Sequence, residues 1–367
     1  MPILRIEGVE KSFLGKKVLD NLSLEIEDET FTAILGPAGS GKTTLLKIIA
    51  GTLKADKGKV FLGDKELTQV RPRDRKIAMI SQGYNLYPNL RVFENIASPL
   101  RAEMRPQGEI KERVTKQAKI LRIEHLLNKL PHELSGGEVQ RVALGRALVK
   151  DADIYLLDEP LTGLDYKLRE GMTHELKEIL KAENFRGVVL IYATPNYEEV
   201  LSMSKKTILI YSGKFLWKGD TIDSYKNPPN LDFAKNFYSP PMNLFECTVQ
   251  SKQDKLYLRV SDEISLNVTH LKGELRESGY ILGFPTHIFY FQKEKKMMQL
   301  TFNLTLADVT PAGTVLHLEY DGMRVNGYFP FPKDFPRGSL QLFVRPEDIF
   351  IFGKTSGKLI MKYRGKE

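Results

Sequence analysis

One cysteine, Cys247, stands in 367 residues. Neither an intramolecular disulfide framework nor a cysteine-rich zinc module can be built from it, and a reducing compartment is the simple expectation. Long hydrophobic runs are missing as well. The longest, such as VVLIYA at 188–193, are strand-sized and fall short of the ~18 apolar residues that cross a bilayer. The opening MPILRIEGVEKSF carries charge within its first five residues and has no apolar leader core, so a cytosolic protein is expected. Blocks of like charge are absent too: 54 Lys and Arg against 46 Asp and Glu leave a thinly spread +8. A solvated basic surface near anionic lipid explains that excess better than a nucleic-acid face, and no nucleic-acid partner is expected. With 42% hydrophobic and 27% charged residues, the chain is neither disordered nor a rod, and its length suggests two or three domains of roughly 150 residues.

What is present follows two patterns. Over the first two hundred residues or so, short apolar strand candidates alternate with helix-period stretches, and the grammar changes after about 226. The strands are TFTAILG (30–36), KIAMIS (76–81), DIYLLD (153–158), GVVLIYA (187–193) and KTILIYSG (206–213). The helices include KTTLLKIIAG (42–51), EIKERVTKQAKILRI (109–123) and KLREGMTHELKEILKAEN (167–184). Such alternation predicts an α/β fold with a mostly parallel sheet covered on both faces. The stretch from about 86 to 150 lacks a strong strand and reads as a helical subdomain. Proline-bearing breaks follow at KNPPN (226–230) and YSPPMN (238–243). Beyond them KLYLRV, HIFYFQ, TVLHLEY and LQLFV alternate in period two, which predicts a small antiparallel β-domain, a barrel or sandwich. We therefore expect domains at 1–238 and 239–367. LGFPTHI (282–288) and VRPEDI (344–349) read as diverged copies of one element.

Chemistry concentrates in three motifs. GPAGSGKT at 36–43 fits G-x-x-x-x-G-K-[ST] between a strand and a helix. Gly36, Pro37, Ala38, Gly39, Ser40 and Gly41 would wrap backbone N–H groups around phosphate oxygens. Lys42 would place a charge at the β- and γ-phosphates, and Thr43, followed by Thr44, could ligate Mg²⁺. IYLLDEP (154–160) ends an apolar strand in two carboxylates, with Asp158 placed for the Mg²⁺ shell and Glu159 for polarising a water. LSGGEVQR (134–141) sets Ser135, Gly136, Gly137 and Glu138 before a helix, a second anion-binding amino terminus. In isolation each has a plainer explanation, as a glycine turn, a helix start or a helix cap. Two phosphate cradles with one carboxylate pair suggest that the second cradle serves a partner's nucleotide.

In this order, the motifs resemble the ATPase subunit of an ATP-binding cassette transporter. The resemblance adds Phe13 as the adenine-stacking aromatic, Gln82 in MISQGYNLYP as a metal sensor, and Asp165 in LTGLD (161–165). RPRDRKIAMISQ, VFENIASPLR, LDYKLRE and SPPMNLF (239–245) are similar to importer ATPases serving sugars, polyols and glycerol phosphates, which carry an OB-like regulatory domain after the cassette. The resemblance implies ATP and Mg²⁺ as cofactors and head-to-tail pairing with a second cassette subunit. It also implies docking on two membrane permease subunits at the cytoplasmic face and feeding by an extracytoplasmic binding protein. Residues 83–100 would line the permease groove, with Tyr84, Leu86 and Tyr87 as apolar contacts.

Two positions depart from the family. Glu138 replaces the commoner glutamine, a mild change. At YATPN (192–196), Pro195 stands where the family has a switch histidine. The six histidines all lie elsewhere, at 125, 132, 174, 270, 287 and 317. Proline offers no side-chain donor to a γ-phosphate. A lost histidine together with IASPLR and LDYKLRE most resembles one of the two paired ATPase subunits of the glycerol importer. A homodimeric sugar-importer ATPase and a regulatory nucleotide-binding subunit with little hydrolysis of its own stay open.

Overall fold

The computed structural model describes residues 3–27, 31–81, 83–163, 166–180, 187–238, 240–261, 264–310, 313–331, 333, 335 and 337–362. Contacts divide the chain into two compact units, 1–222 and 223–367.

The first unit begins with an antiparallel sheet. Its strands are β1 (Leu4–Phe13) and β2 (Lys16–Ile26), then, after β3 (Phe31–Leu35) and α1 (Lys42–Ala50), β4 (Lys57–Leu62) and β5 (Lys65–Glu66). They pair in the order β2-β1-β4-β5. The sequence hides this sheet because the β1–β2 pairing shifts register between Ile6 and Val9, around left-handed Gly8. Each shift breaks the period-two alternation that marks a strand.

β3 belongs instead to a second sheet with β6 (Ile77–Ile80), β7 (Ile154–Asp158), β8 (Val189–Thr194), β9 (Lys206–Tyr211) and β10 (Lys214–Asp220). Their order is β10-β9-β3-β8-β7-β6, parallel from β9 to β6. The five predicted apolar segments are these five parallel strands, with β10 as an antiparallel edge. One face packs on α1 and the first sheet through Leu45, Ile49, Val60, Ile154 and Ile191. The other packs on α2 (Val92–Ala102), α3 (Gln107–Ile120), α4 (Gly136–Leu148) and α5 (Tyr166–Leu180) through Ile96, Val114, Val142 and Leu176. A short α6 (Tyr197–Met203) follows β8. Because β8 lies between β3 and β7, Gly36, Pro195 and Glu159 all leave the carboxyl ends of neighbouring strands, where α/β sheets form their crevice.

Arg75 fastens the far end of α1. Its buried guanidinium donates to the carbonyls of Ile48 (2.9 Å), Ile49 (2.7 Å), Thr68 (3.2 Å) and Val70 (2.8 Å). Two of these are carbonyls of the last turn of α1, and the Ile48 carbonyl also accepts the Gly51 N–H at 3.0 Å. Arg75→Met should cost about 3 kcal/mol of stability in urea unfolding, since hydrogen bonds to charged groups contribute about 1.5–3 kcal/mol each and the stranded carbonyls stay buried. Arg75→Lys, with one nitrogen and no fork, should recover only part of it.

The boundary between units falls within α7 (Thr221–Lys226), not at 238/239. Tyr225 packs against Phe237, Tyr238 and His287, so α8 (Leu231–Phe237) joins the β-rich unit. Asn230 also bridges to Lys358, and the Leu231 N–H donates to the Gly357 carbonyl.

The second unit holds two antiparallel sheets. The first comprises β11 (Asn243–Lys252), β12 (Lys255–Arg259), β13 (Ser265–Asn267), β14 (Tyr280–Phe284), β20 (Phe350–Gly353) and β21 (Leu359–Lys362). The second comprises β15 (Phe289–Tyr290), β16 (Met298–Thr310), β17 (Gly313–Tyr320), β18 (Met323–Phe329) and β19 (Gly338–Val344). One core joins them, with Leu258, Leu282 and Ile351 meeting Leu300, Leu318 and Leu342. Cys247 lies in it, its thiol pushed up to about 12 by burial, and is chemically quiet. The two repeat copies take one local shape. β14 and β19 each run into a proline turn, and the Ile288 and Ile349 N–H groups donate back to the Pro285 and Pro346 carbonyls.

Candidate functional site

The loop between β3 and α1 turns on glycines that cannot be replaced. Gly39 and Gly41 have φ of 78° and 104°, in the left-handed region. A Cβ on Gly41 would also sit 2.9 Å from the Val18 carbonyl oxygen, so β2 runs directly beside the loop. Lys42 is only 3% exposed. Its ammonium donates to the carbonyls of Gly36 (2.8 Å) and Pro37 (3.0 Å) and lies 3.4 Å from Glu159 Oε1. Burial pushes its pKa down, against the pull of Glu159. Ser40 Oγ is buried and finds no hydrogen-bond partner among the described residues. An orphaned hydroxyl and a buried ammonium on a glycine-turned loop that opens a helix suit an anion.

Beside it lies a cation-type donor set. Thr43 Oγ1 donates to Asp158 Oδ1 at 3.0 Å, and Asp158 is fully buried. Its Oδ2 has no hydrogen-bond partner among the described residues, and burial raises its pKa. A buried carboxylate oxygen without a donor, next to a hydroxyl, fits a hard divalent ion such as Mg²⁺. Glu159 follows at φ 47°, a strained conformation for a residue with a side chain. Its N–H donates to the Ala193 carbonyl at 2.9 Å, and Thr162 Oγ1 donates to its Oε2 at 3.3 Å.

Ala193 precedes by two residues position 195, where a switch histidine is expected from the resemblance. There Pro195 is exposed, and the segment around it is pinned. Tyr192 and Thr194 hydroxyls donate to buried Glu199 (2.6 and 2.8 Å), the Asn196 N–H donates to Thr194 Oγ1 (3.0 Å), and Asn196 caps α6. The loop is thus rigid, yet Pro195 brings no side-chain donor to the crevice.

Ser135 is the cap of α4, and Glu138 closes a capping box with it. The Ser135 amide (2.7 Å) and hydroxyl (2.9 Å) both donate to Glu138 Oε2 and hold that carboxyl below its usual range. Around Gly136 and Gly137 no neighbouring atom lies within 4 Å of an added Cβ, so this turn faces open space. It is separate from the Lys42 cradle. Gln82 and Asp165 lie outside the described residues.

Three residues without a sequence signal tie these parts together. Tyr84 was expected at an apolar docking face, but its hydroxyl donates to the carbonyls of Thr162 (2.9 Å) and Pro160 (3.3 Å), beside Glu159. Gln140 of α4 also donates to the Pro160 carbonyl. Arg146 of α4 donates to the carbonyls of Tyr84 and Asn85, both 2.8 Å, and stacks on Tyr87 at 5.4 Å. Leu86 packs on the core, which leaves Tyr87 as the exposed member of the expected trio. Tyr87, Met79, Pro99, Arg146 and Lys150 line a groove of about 250 Å³.

Comparison with known proteins agrees with this geometry. The ABC transporter family profile matches residues 19–162. The chain is 38% identical over 275 residues to the spermidine/putrescine import ATP-binding protein PotA of Vibrio cholerae serotype O1, covering 75% of this chain and 72% of that one. The chain belongs to the import ATP-binding proteins of the ABC transporter family. PotA of Salmonella typhimurium is also 38% identical, over 71% of this ABC ATPase and 68% of its own length. Among solved structures, the dimeric ABC transporter cassette MJ0796 is similar with a TM-score of 0.53 and 29% identity, covering 59% of this chain and 98% of that one. The same cassette bound to ADP and Pi after hydrolysis gives the same values. This chain is therefore an ATP-binding ATPase. The relatives named are polyamine importers, whereas SPPMNLF and VRPEDI led us to expect a sugar, polyol or glycerol phosphate importer. The ATPase of an importer is shown; the sugar, polyol or glycerol phosphate expected as its solute is not supported by these relatives.

Proposed function

We propose that this ABC ATPase energises import of a small organic solute as one half of an asymmetric ATPase pair at the cytoplasmic face of a membrane. In this reading Phe13 stacks the adenine, Lys42 and the N–H groups of residues 36–44 hold the phosphates, and Thr43, Asp158 and Gln82 hold Mg²⁺. When bound, the ion neutralises developing charge on the phosphates. Glu159 orients and polarises the attacking water, and Asp165 lies in the loop that follows. Ser135, Gly136 and Gly137, with Glu138 behind them, close over the ATP of a second cassette subunit. Two permease subunits dock at the groove beside Tyr87, and an extracytoplasmic binding protein delivers the solute.

The observation that carries the asymmetry is Pro195, fixed between the glycine loop and Glu159 with no donor to offer. A complete second ATPase would supply the missing histidine. For the solute, the relatives' names favour a polyamine. A glycerol or polyol importer is the second reading, favoured by Pro195 because the histidine-lacking subunit type belongs to the glycerol importer. Purifying the membrane complex through a tag on this chain tests the pairing. Equal amounts of a second, histidine-bearing cassette are expected; two copies of this chain alone would overturn it.

A further inference from the structure

Phe13 ends β1 at a hairpin tip, 45% exposed, with one ring face covered. Lys11 Nζ lies 5.5 Å from the ring centroid. That ammonium is itself held, donating to Asp56 Oδ1 at 2.6 Å. Asp56 Oδ2 accepts the Ser12 N–H at 2.7 Å, and the Asp56 N–H donates to the Glu10 carbonyl at 2.9 Å. Three hydrogen bonds thus fasten residues 10–12, immediately before the ring, to one aspartate. Asp56 sits in the segment between α1 and β4, and α1 is the helix that opens from the glycine loop. A second path leads to the same loop. Phe13 pairs with Lys16 across the hairpin, two residues before Val18, whose carbonyl borders Gly41. At about 3.3 Å per residue, the ring stands within a nucleotide's reach of the phosphate cradle.

We propose that Lys11 and Asp56 form a positioning clasp for base recognition, with the ammonium backing the Phe13 ring on the face opposite the adenine. This rests on the reading above that Phe13 stacks the base. A cation over one face of an aromatic ring is attracted by the ring's quadrupole and draws electron density toward itself. The other face then repels the π-cloud of a purine less. The clasp also holds the ring in place before ATP arrives, so less freedom is lost on binding. Asp56 is half exposed, and salt should weaken the effect.

The test uses the full chain, titrated calorimetrically with MgATP and with magnesium tripolyphosphate, which carries the phosphates without the base. Phe13→Ala should weaken ATP about tenfold, the scale of one base–aromatic stack, and leave tripolyphosphate unchanged. Lys11→Ala and Asp56→Ala should each weaken ATP about three- to fivefold, again without touching tripolyphosphate. In the Phe13→Ala background, Lys11→Ala should add nothing; with the ring present, Lys11→Arg, which keeps a cation over it, should retain most of the affinity. If Lys11→Ala leaves ATP affinity intact, weakens both ligands alike, or acts in full without the ring, the clasp serves only the hairpin and the proposal falls. Should Phe13→Ala itself leave ATP affinity unchanged, the base-stacking reading fails, and the clasp with it.

Discussion

Lys42→Ala should abolish MgATP binding and leave the fold intact. The side chain contacts two loop carbonyls and Glu159 and belongs to none of the hydrophobic clusters. Its loss therefore opens no apolar cavity, and alanine favours the first turn of α1. For nucleotide the loss is large, because this buried ammonium lies at the mouth of the cradle. Charge-assisted hydrogen bonds contribute roughly 1.5–3 kcal/mol each, so losing two should cost about 100-fold or more in affinity. Calorimetric titration with MgATP, alongside an unchanged circular dichroism spectrum, checks both halves of the expectation. Retained affinity in a folded variant would mean that the phosphates lie elsewhere.

The parallel sheet was legible because β3, β7 and β8 are buried on both faces and read as unbroken apolar runs. The first sheet was not. β1 and β2 are bulged: the inward residues step from Ile6 to Val9 and from Leu19 to Leu22, so the period-two alternation changes phase within each strand and no continuous apolar run forms. The same contrast holds at the site. Lys42, Thr43 and Asp158 sit in motifs whose spacing follows from the chemistry, and the fold brings Thr43 to 3.0 Å from Asp158 and Lys42 to 3.4 Å from Glu159. Tyr84, Gln140 and Arg146 carry no such spacing. Each bonds to main-chain carbonyls about 20 to 80 positions away, and a main-chain acceptor leaves no trace in residue identity. The division by contacts at 222/223 and the proline break expected at 238/239 mark different things. The prolines at 240 and 241 mark a break in backbone regularity, whereas the rings of Phe233 and Phe237 cluster with Tyr225, which stacks on His287 of the β-rich unit.

In the assembled transporter, changing the catalytic carboxylate should have unequal effects on the two subunits. Around Pro195 everything else is in order: Asn196 caps α6, Thr194 and Tyr192 are tied to Glu199, and Glu159 is anchored to Ala193. In the proposed reading, what position 195 lacks is a side-chain donor. Removing one positioned donor from a charged transition state typically costs about 10²–10³ in rate. A site built on this chain's glycine loop should thus hold ATP and turn it over slowly, with the bound nucleotide serving mainly to keep the dimer closed. The other site combines the partner's glycine loop and histidine with Ser135, Gly136 and Gly137 of this chain and should carry most of the flux. The direct measurement is steady-state ATPase activity of the purified complex with Glu159→Gln here, against the matching carboxylate-to-amide change in the partner. We expect a modest loss from Glu159→Gln and near-abolition from the partner's change. Equal, severe losses would contradict the asymmetry.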